Sequence, residues 1–266
     1  MAPPDGDVQL VPALALTAAL VGGAACEAAP VAPVSTVQIA AASDLSLAFA
    51  ELGQLFERRT GQKVAFSFAA SGALSKQLGQ GAPFDLFAAA SAAFVDSAVS
   101  AGACDGRTKS LYAHGHVAAW AKRGGVSLRS LDDLKSSEIA HIAIANPVTA
   151  PYGKAAQEAL VSAGLWSTLE PKIVQAENVR QALQFAQTGN AEVALVALSL
   201  VARDESGSRL VLETRLHEPI EQTLVVCKNG KNQAGGRAFA ELVASTDGQA
   251  VLRRYGFGSS SEQASK

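Results

Sequence analysis

Val37-Gln38-Ile39-Ala40-Ala41-Ala42-Ser43-Asp44 is an apolar run of strand length that stops on a serine suited to cap a helix. The helix follows at once: Leu45, Ala48, Phe49, Leu52, Leu55 and Phe56 recur at helical spacing until Thr60-Gly61, a C-terminal stop. Working outward, residues 63–69 read as a second strand, Ser71-Gly72 as a turn, 73–79 as a short helix, 85–90 as a third strand and 94–101 as a helix. After a break at His114 to His116, a new series opens with a strand at 116–121. It continues through strand 141–145, helix 151–163, strand 173–174, helix 179–187 and strand 193–197. Beyond Pro219 come a strand at 223–227, a helix at 237–244 and a last helix opened by Thr246-Asp247-Gly248-Gln249, a capping box of the T-x-x-Q kind. Strands alternating with helices predict an α/β protein built on parallel, doubly wound sheets.

The chain has 266 residues, enough for two domains of roughly 150 residues or one large one. Hydrophobic residues make up 48% and charged residues 17%, which excludes a disordered or coiled-coil chain. Twenty-two basic residues stand against 24 acidic ones with no long like-charge run, so the electrostatic footprint of a nucleic-acid binder is missing.

The uncharged stretch from Val8 to Cys26 is apolar over residues 10–21 and then dissolves into Gly22-Gly23-Ala24-Ala25. It reads as a secretory signal with a small-residue cleavage zone, because Pro12 and the small residues make it a poor membrane anchor. The residues before it carry Asp5 and Asp7 and no base, the reverse of the usual export signal. Ala24-Ala25-Cys26 adds a second expectation, lipid anchorage through Cys26. Residues 28–35 are a Pro/Ala linker. Cys104 and Cys227, far apart in sequence, are expected to be two small buried hydrophobes rather than a disulfide. His114 and His116 can share a strand face, but no carboxylate or third ligand sits beside them to complete a metal site.

Function is concentrated where strands hand over to helices: Ala42-Ser43-Asp44, Ala70-Ser71-Gly72, Ala150-Pro151-Tyr152-Gly153 and Glu177-Asn178-Val179. A helix start offers unpaired N–H groups and the positive end of a dipole, an anion site that needs no cationic side chain. In open α/β sheets such turns gather at the carboxyl ends of the strands. Each serine alone reads first as a plain cap, and Asp44 opposes a neighbouring anion unless its carboxylate points away. Arg180, just inside a helix start, reads as a solvent or interdomain partner. Asp85 reads as structural. No G-x-S-x-G elbow, Walker loop or dinucleotide fingerprint is present, so no enzyme activity is expected.

The segments Ala41-Ala42-Ser43-Asp44-Leu45, residues 67–74 and Gly81-Ala82-Pro83-Phe84-Asp85-Leu86-Phe87 resemble the periplasmic molybdate-binding proteins of ABC importers. The likeness continues through Asn146-Pro147, Ala150-Pro151-Tyr152-Gly153, Ala176-Glu177-Asn178-Val179-Arg180, Gly189-Asn190-Ala191-Glu192, Pro219-Ile220-Glu221-Gln222 and Arg254-Tyr255-Gly256-Phe257. It implies two doubly wound α/β domains of the type II periplasmic-binding kind joined by a two-strand hinge. Residues 1–35 would be signal and linker, 36–114 with 224–258 the first domain, 115–223 the second, and 259–266 a disordered tail. The resemblance further implies a periplasmic monomer that captures molybdate or tungstate, without a cofactor, for an ABC transporter permease. Ser43 and Ser71 would donate from the first domain, Val179 through its N–H and Tyr152 from the second. The family often carries a further tyrosine near the end of strand 193–197, where this chain has Ala197, so the Tyr152 hydroxyl is expected to compensate in addition to, or instead of, its N–H. Sulfate, another tetrahedral oxyanion, or a small organic acid are the alternative ligands.

Overall fold

The computed structural model describes residues 1–2 and 36–260; the expected signal, Cys26, the linker and residues 261–266 lie outside the described residues. Met1–Pro33 and Val34–Lys266 form separate units, and the fold below is that of the second. Its strands are β1 (Val37–Ala42), β2 (Val64–Ala69), β3 (Leu86–Ala89), β4 (Ser110–Gly115), β5 (Val117–Lys122), β6 (Ile142–Ala145), β7 (Ile173–Ala176), β8 (Val193–Ala197), β9 (Gly207–Val211), β10 (Ile220–Val226) and β11 (Gly258–Ser259). The helices are α1 (Ser46–Thr60), α2 (Ser71–Gly79), α3 (Ala92–Ser100), α4 (Pro151–Ser162), α5 (Trp166–Leu169), α6 (Val179–Thr188), α7 (Leu198–Val201), α8 (Gln233–Ala244) and α9 (Thr246–Arg254). Among the described residues no helix is long and apolar enough to cross a membrane.

Two sheets carry these elements. One has six strands in the order β11-β4-β10-β3-β1-β2, the other five in the order β7-β6-β8-β5-β9. The β2-β1-β3 and β7-β6-β8 runs are parallel, as strand–helix alternation requires. The sheets are nonetheless mixed rather than wholly parallel. β10 lies antiparallel between β3 and β4, and β5 lies antiparallel between β8 and β9. The reason is that the chain passes from the first sheet to the second through Gly115-His116 and returns before Ile220, with no crossover helix to restore direction at either passage. β10 spans the boundary expected between 223 and 224 and belongs wholly to the first sheet.

Several local readings are corrected. His114 and Gly115, read as part of a break, are the end of strand β4, which is held by two neighbours. Ser71-Gly72 is not a separate turn but the first turn of α2. Ser245, not Thr246, caps the last helix, its Oγ accepting from the Gly248 N–H at 3.1 Å. Ser259, expected to open a disordered tail, pairs with Ala113 in β11. Most consequentially, Cys104 and Cys227 form a disulfide. The residues stand opposite each other on an antiparallel bridge beside β10, a neighbourhood that spacing of 123 residues does not reveal.

Both sheets pack on apolar helices. Phe49 and Phe56 of α1 meet Phe239 of α8 edge-on at 5.5 Å, and Phe66 of β2 closes the cluster. Asp85 is fully buried and accepts from the Gln38 and Asn232 N–H groups at 2.7 and 2.6 Å, so its role is structural, as its sequence context suggested.

Candidate anion-binding cleft

β1 ends at Ala42 and Ser43 immediately opens a short 3-10 turn that leads into α1. β2 ends at Ala69 and α2 begins at Ser71. From the second sheet, β6 is followed by α4, whose first residue is Pro151, and β7 by α6, whose first residue is Val179. These starts converge. Ser43, Ser71, Tyr152 and Val179 line one narrow cleft, together with Ala42, Ala70, Ala90 and Ala150. All four candidate residues are at most 3% exposed.

Neither serine serves as the cap of its own helix: the cap positions belong to Ala42 and Ala70, and each serine is the first residue inside. Their hydroxyls are therefore not committed to helix amides. Ser71 Oγ accepts from the Ala90 N–H at 3.2 Å, which occupies a lone pair and leaves its hydrogen to donate. Asn178 does cap α6, its Oδ1 accepting from the Arg180 and Gln181 N–H groups at 3.1 Å. The Val179 N–H, one residue earlier, lies in the first turn where no intrahelical acceptor exists. In α4, Pro151 has no N–H to offer, so the first donor of that helix is Tyr152. No Lys, Arg or His lines the cleft, and Arg180 is exposed.

The one carboxylate in the cleft, Asp44, is engaged elsewhere. Gln222 of β10 donates through Nε2 to Asp44 Oδ2 at 2.7 Å and to the Tyr152 hydroxyl at 3.4 Å, while the Tyr112 hydroxyl donates to Gln222 Oε1 at 3.3 Å. The Tyr152 hydroxyl also donates to the Asp44 carboxyl. Burial pushes the Asp44 carboxyl up to about 7 against the opposing pull of the Gln222 and Tyr152 hydrogen bonds. Burial likewise pushes both tyrosine hydroxyls well up, so they stay protonated. The cleft thus presents N–H and O–H donors, and below neutrality, where Asp44 is mostly protonated, little negative charge to repel an anion.

The profile of the family described as bacterial extracellular solute-binding protein matches residues 37–258. The chain belongs to that family. This solute-binding protein is 35% identical to the molybdate-binding protein ModA of Rhodobacter capsulatus over 94% of its own length and 97% of the relative's. It is 34% identical to ModA of Azotobacter vinelandii over 85% of its length and 91% of that chain. Among solved structures it resembles the Azotobacter vinelandii periplasmic molybdate-binding protein at a TM-score of 0.78 and 27% identity, covering 83% of this chain and 98% of that one. The type II binding-protein architecture expected from the motifs is therefore the fold of this solute-binding protein.

Sequence reasoning placed the four helix starts but gave Gln222 no role, although burial alternates along Ile220-Glu221-Gln222 and puts Gln222 on the inner face of β10. Ala197 is buried at the end of β8 and precedes α7. Among the described residues no group of three or more His, Cys, Asp or Glu side chains could hold a metal ion, and His114 Nδ1 faces the Ser259 carbonyl.

Gly153 keeps the third helix start in place. A Cβ there would lie 2.1 Å from the Ala145 carbonyl oxygen, so only glycine lets α4 sit this close to β6. Gly153→Ala is expected to lower the free energy of unfolding by ~1–3 kcal/mol despite alanine's better helix propensity. It should also weaken anion binding by displacing Tyr152. Urea denaturation of the variant checks the first effect, and wild-type stability would mean that α4 retreats without cost.

Proposed function

We propose that this protein captures molybdate, or tungstate, outside the cytoplasm as a monomer and delivers it to an ABC transporter permease, without performing chemistry on it. The observation that carries the reading is the convergence of four helix starts from two sheets on a cleft without a cation. Molybdate at neutral pH is a tetrahedral dianion that only accepts hydrogen bonds. A site of donors matches it and penalises a ligand that must itself donate a proton. Ser43 and Ser71 supply hydroxyls and N–H groups from one side. Tyr152 and Val179 supply N–H groups from the other. With each charge-assisted bond contributing ~1.5–3 kcal/mol before ordering costs, half a dozen give a net ~8–11 kcal/mol, or micromolar to nanomolar binding. The relatives named for molybdate support the choice among oxyanions.

Thermal-shift measurements with molybdate, tungstate, sulfate, phosphate and common organic acids test the reading, since a ligand that binds only the folded state raises Tm. Molybdate and tungstate are expected to raise it most. A larger shift with sulfate or an organic acid would replace the reading. Ser43→Ala and Ser71→Ala are each expected to weaken molybdate binding by ~1–3 kcal/mol in calorimetry, because a charged acceptor loses a donor inside a closed cleft. Wild-type affinity in both variants would place the site elsewhere.

A further inference from the structure

The Tyr152 hydroxyl is a polar group of the cleft whose partners are supplied by the opposite lobe. Its helix, α4, packs on β6 and β8 of the second sheet. Its hydroxyl leaves the cleft wall and enters a buried polar cluster built by the first, between Asp44 and the Gln222 amide. The backbone is shaped to admit it: a Cβ on Gly115 would lie 2.2 Å from the hydroxyl oxygen and 2.9 Å from Ile220 Cγ2. Gly115 ends β4 and Gln222 lies on β10, the two strands that lead to and from the second sheet, so the hydroxyl is seated at the hinge itself. Two more bonds cross at the same level. Ser199 Oγ of α7 donates to the Asp44 carbonyl at 2.8 Å, and the Gly72 N–H donates to the Thr149 carbonyl at 2.9 Å.

We propose that Tyr152, Gln222 and Asp44 form an interlobe clasp, with the Tyr152 hydroxyl as a positioning group that holds the lobes together and sets how long the anion is retained. The inference rests on the reading of this cleft as an anion site. In this division of labour one residue does two jobs through different atoms. The Tyr152 N–H faces the anion, and the hydroxyl, at the far end of the ring, fastens α4 and hence that N–H to the first lobe. Gln222 is well suited to the centre of the clasp because an amide donates and accepts at once: Nε2 reaches Asp44 and Tyr152 while Oε1 is held by the Tyr112 hydroxyl. A bound anion leaves only when the lobes part, and parting them breaks the bonds of Tyr152 while the anion's own contacts are also being lost. Loss of the clasp should therefore appear in the dissociation rate and leave the association rate nearly unchanged.

Stopped-flow fluorescence with molybdate, on Tyr152→Phe, Gln222→Met and the double variant, tests the clasp against a hydroxyl that bonds the anion directly. The expected result is a tenfold or greater rise in dissociation rate for each single variant, with association within about twofold of wild type. The double variant should be no faster than the worse single one, because both substitutions break one linkage. Wild-type dissociation in Gln222→Met, or multiplicative effects in the double variant, would overturn the proposal in favour of a ligand hydroxyl. If Gln222→Met does not fold, Gly115→Ala takes its place, since its methyl group expels the hydroxyl without touching Gln222; it must match Tyr152→Phe. A ligand-independent arm uses spin labels at the exposed residues Gln77 and Ser162, one on each lobe. Without any anion, the Tyr152→Phe protein should show a larger share of long interlobe distances than wild type, and an identical distribution would sink the clasp. Failure of the wild-type protein to bind molybdate would count against the functional reading alone, because the distance measurement judges the clasp without it.

Discussion

Removing the Cys104–Cys227 disulfide lowers the free energy of unfolding by about 3–5 kcal/mol. The bond joins residues 123 positions apart, and that loop contains the whole five-stranded sheet. In the folded protein the cross-link ties Cys104, just after α3, to the residue that follows β10. In the unfolded chain it forbids the many conformations in which the second lobe's segment is extended, and the entropic cost of closing a loop grows with its length. Both cysteines are buried, so a Cys104→Ala/Cys227→Ala pair avoids placing new polar groups in the core. Urea denaturation of this pair, and of the wild type with and without reductant, gives the difference directly. A loss under 1 kcal/mol would show that the lobe's own packing already restrains the loop. The bond also fits a protein working outside the reducing cytoplasm.

Stability falls as the pH rises from about 4 to about 7, through Asp44. Burial holds its carboxyl at about 7 in the folded protein, against 3.8 for a solvated aspartate, so between these values the folded state keeps a proton that the unfolded state has released. The contribution is fully present below the unfolded value and is lost as the pH rises through the folded one. A displacement of this size corresponds to about 4 kcal/mol. Other carboxyls pull the opposite way: Asp133 and Glu192 are lowered, Asp133 by backbone N–H groups and Glu192 by those of His141 and Ala140 against a burial that raises it. The comparison with Asp44→Asn isolates the effect, because asparagine keeps an oxygen for the Gln222 amide but carries no titrating proton. Denaturation midpoints of the two proteins should draw apart from pH 5 to pH 8, with the wild type losing ground. Parallel curves would mean that Asp44 ionises freely in the fold.

Much of the site was legible because its parts are local. That a helix starts within a residue or three of Ala42, Ala70, Ala150 and Asn178 follows from a few adjacent residues, and the donors at each start follow from helix geometry alone. Motif order then told which starts belong together, and the fold set them around one cleft. Exact roles at each start were less legible. Ser43 and Ser71 look like caps in sequence, and only the tertiary structure shows them one residue inside their helices, with Ser71 Oγ turned to Ala90 across 19 positions.

What the sequence determined by itself was the α/β character, the positions of the four helix starts and the absence of a cation among them, since each depends on residues within a turn or two of one another. Tertiary structure alone decided that β10 runs antiparallel between β3 and β4, that Cys104 meets Cys227, and that Gln222 bonds Asp44, 178 positions away, and Tyr152, 70 positions away. Those pairings have no local signature. Burial at the hinge leaves each buried polar group only the partners that other segments bring to it, and the sulfur pair likewise meets because β10 returns beside α3.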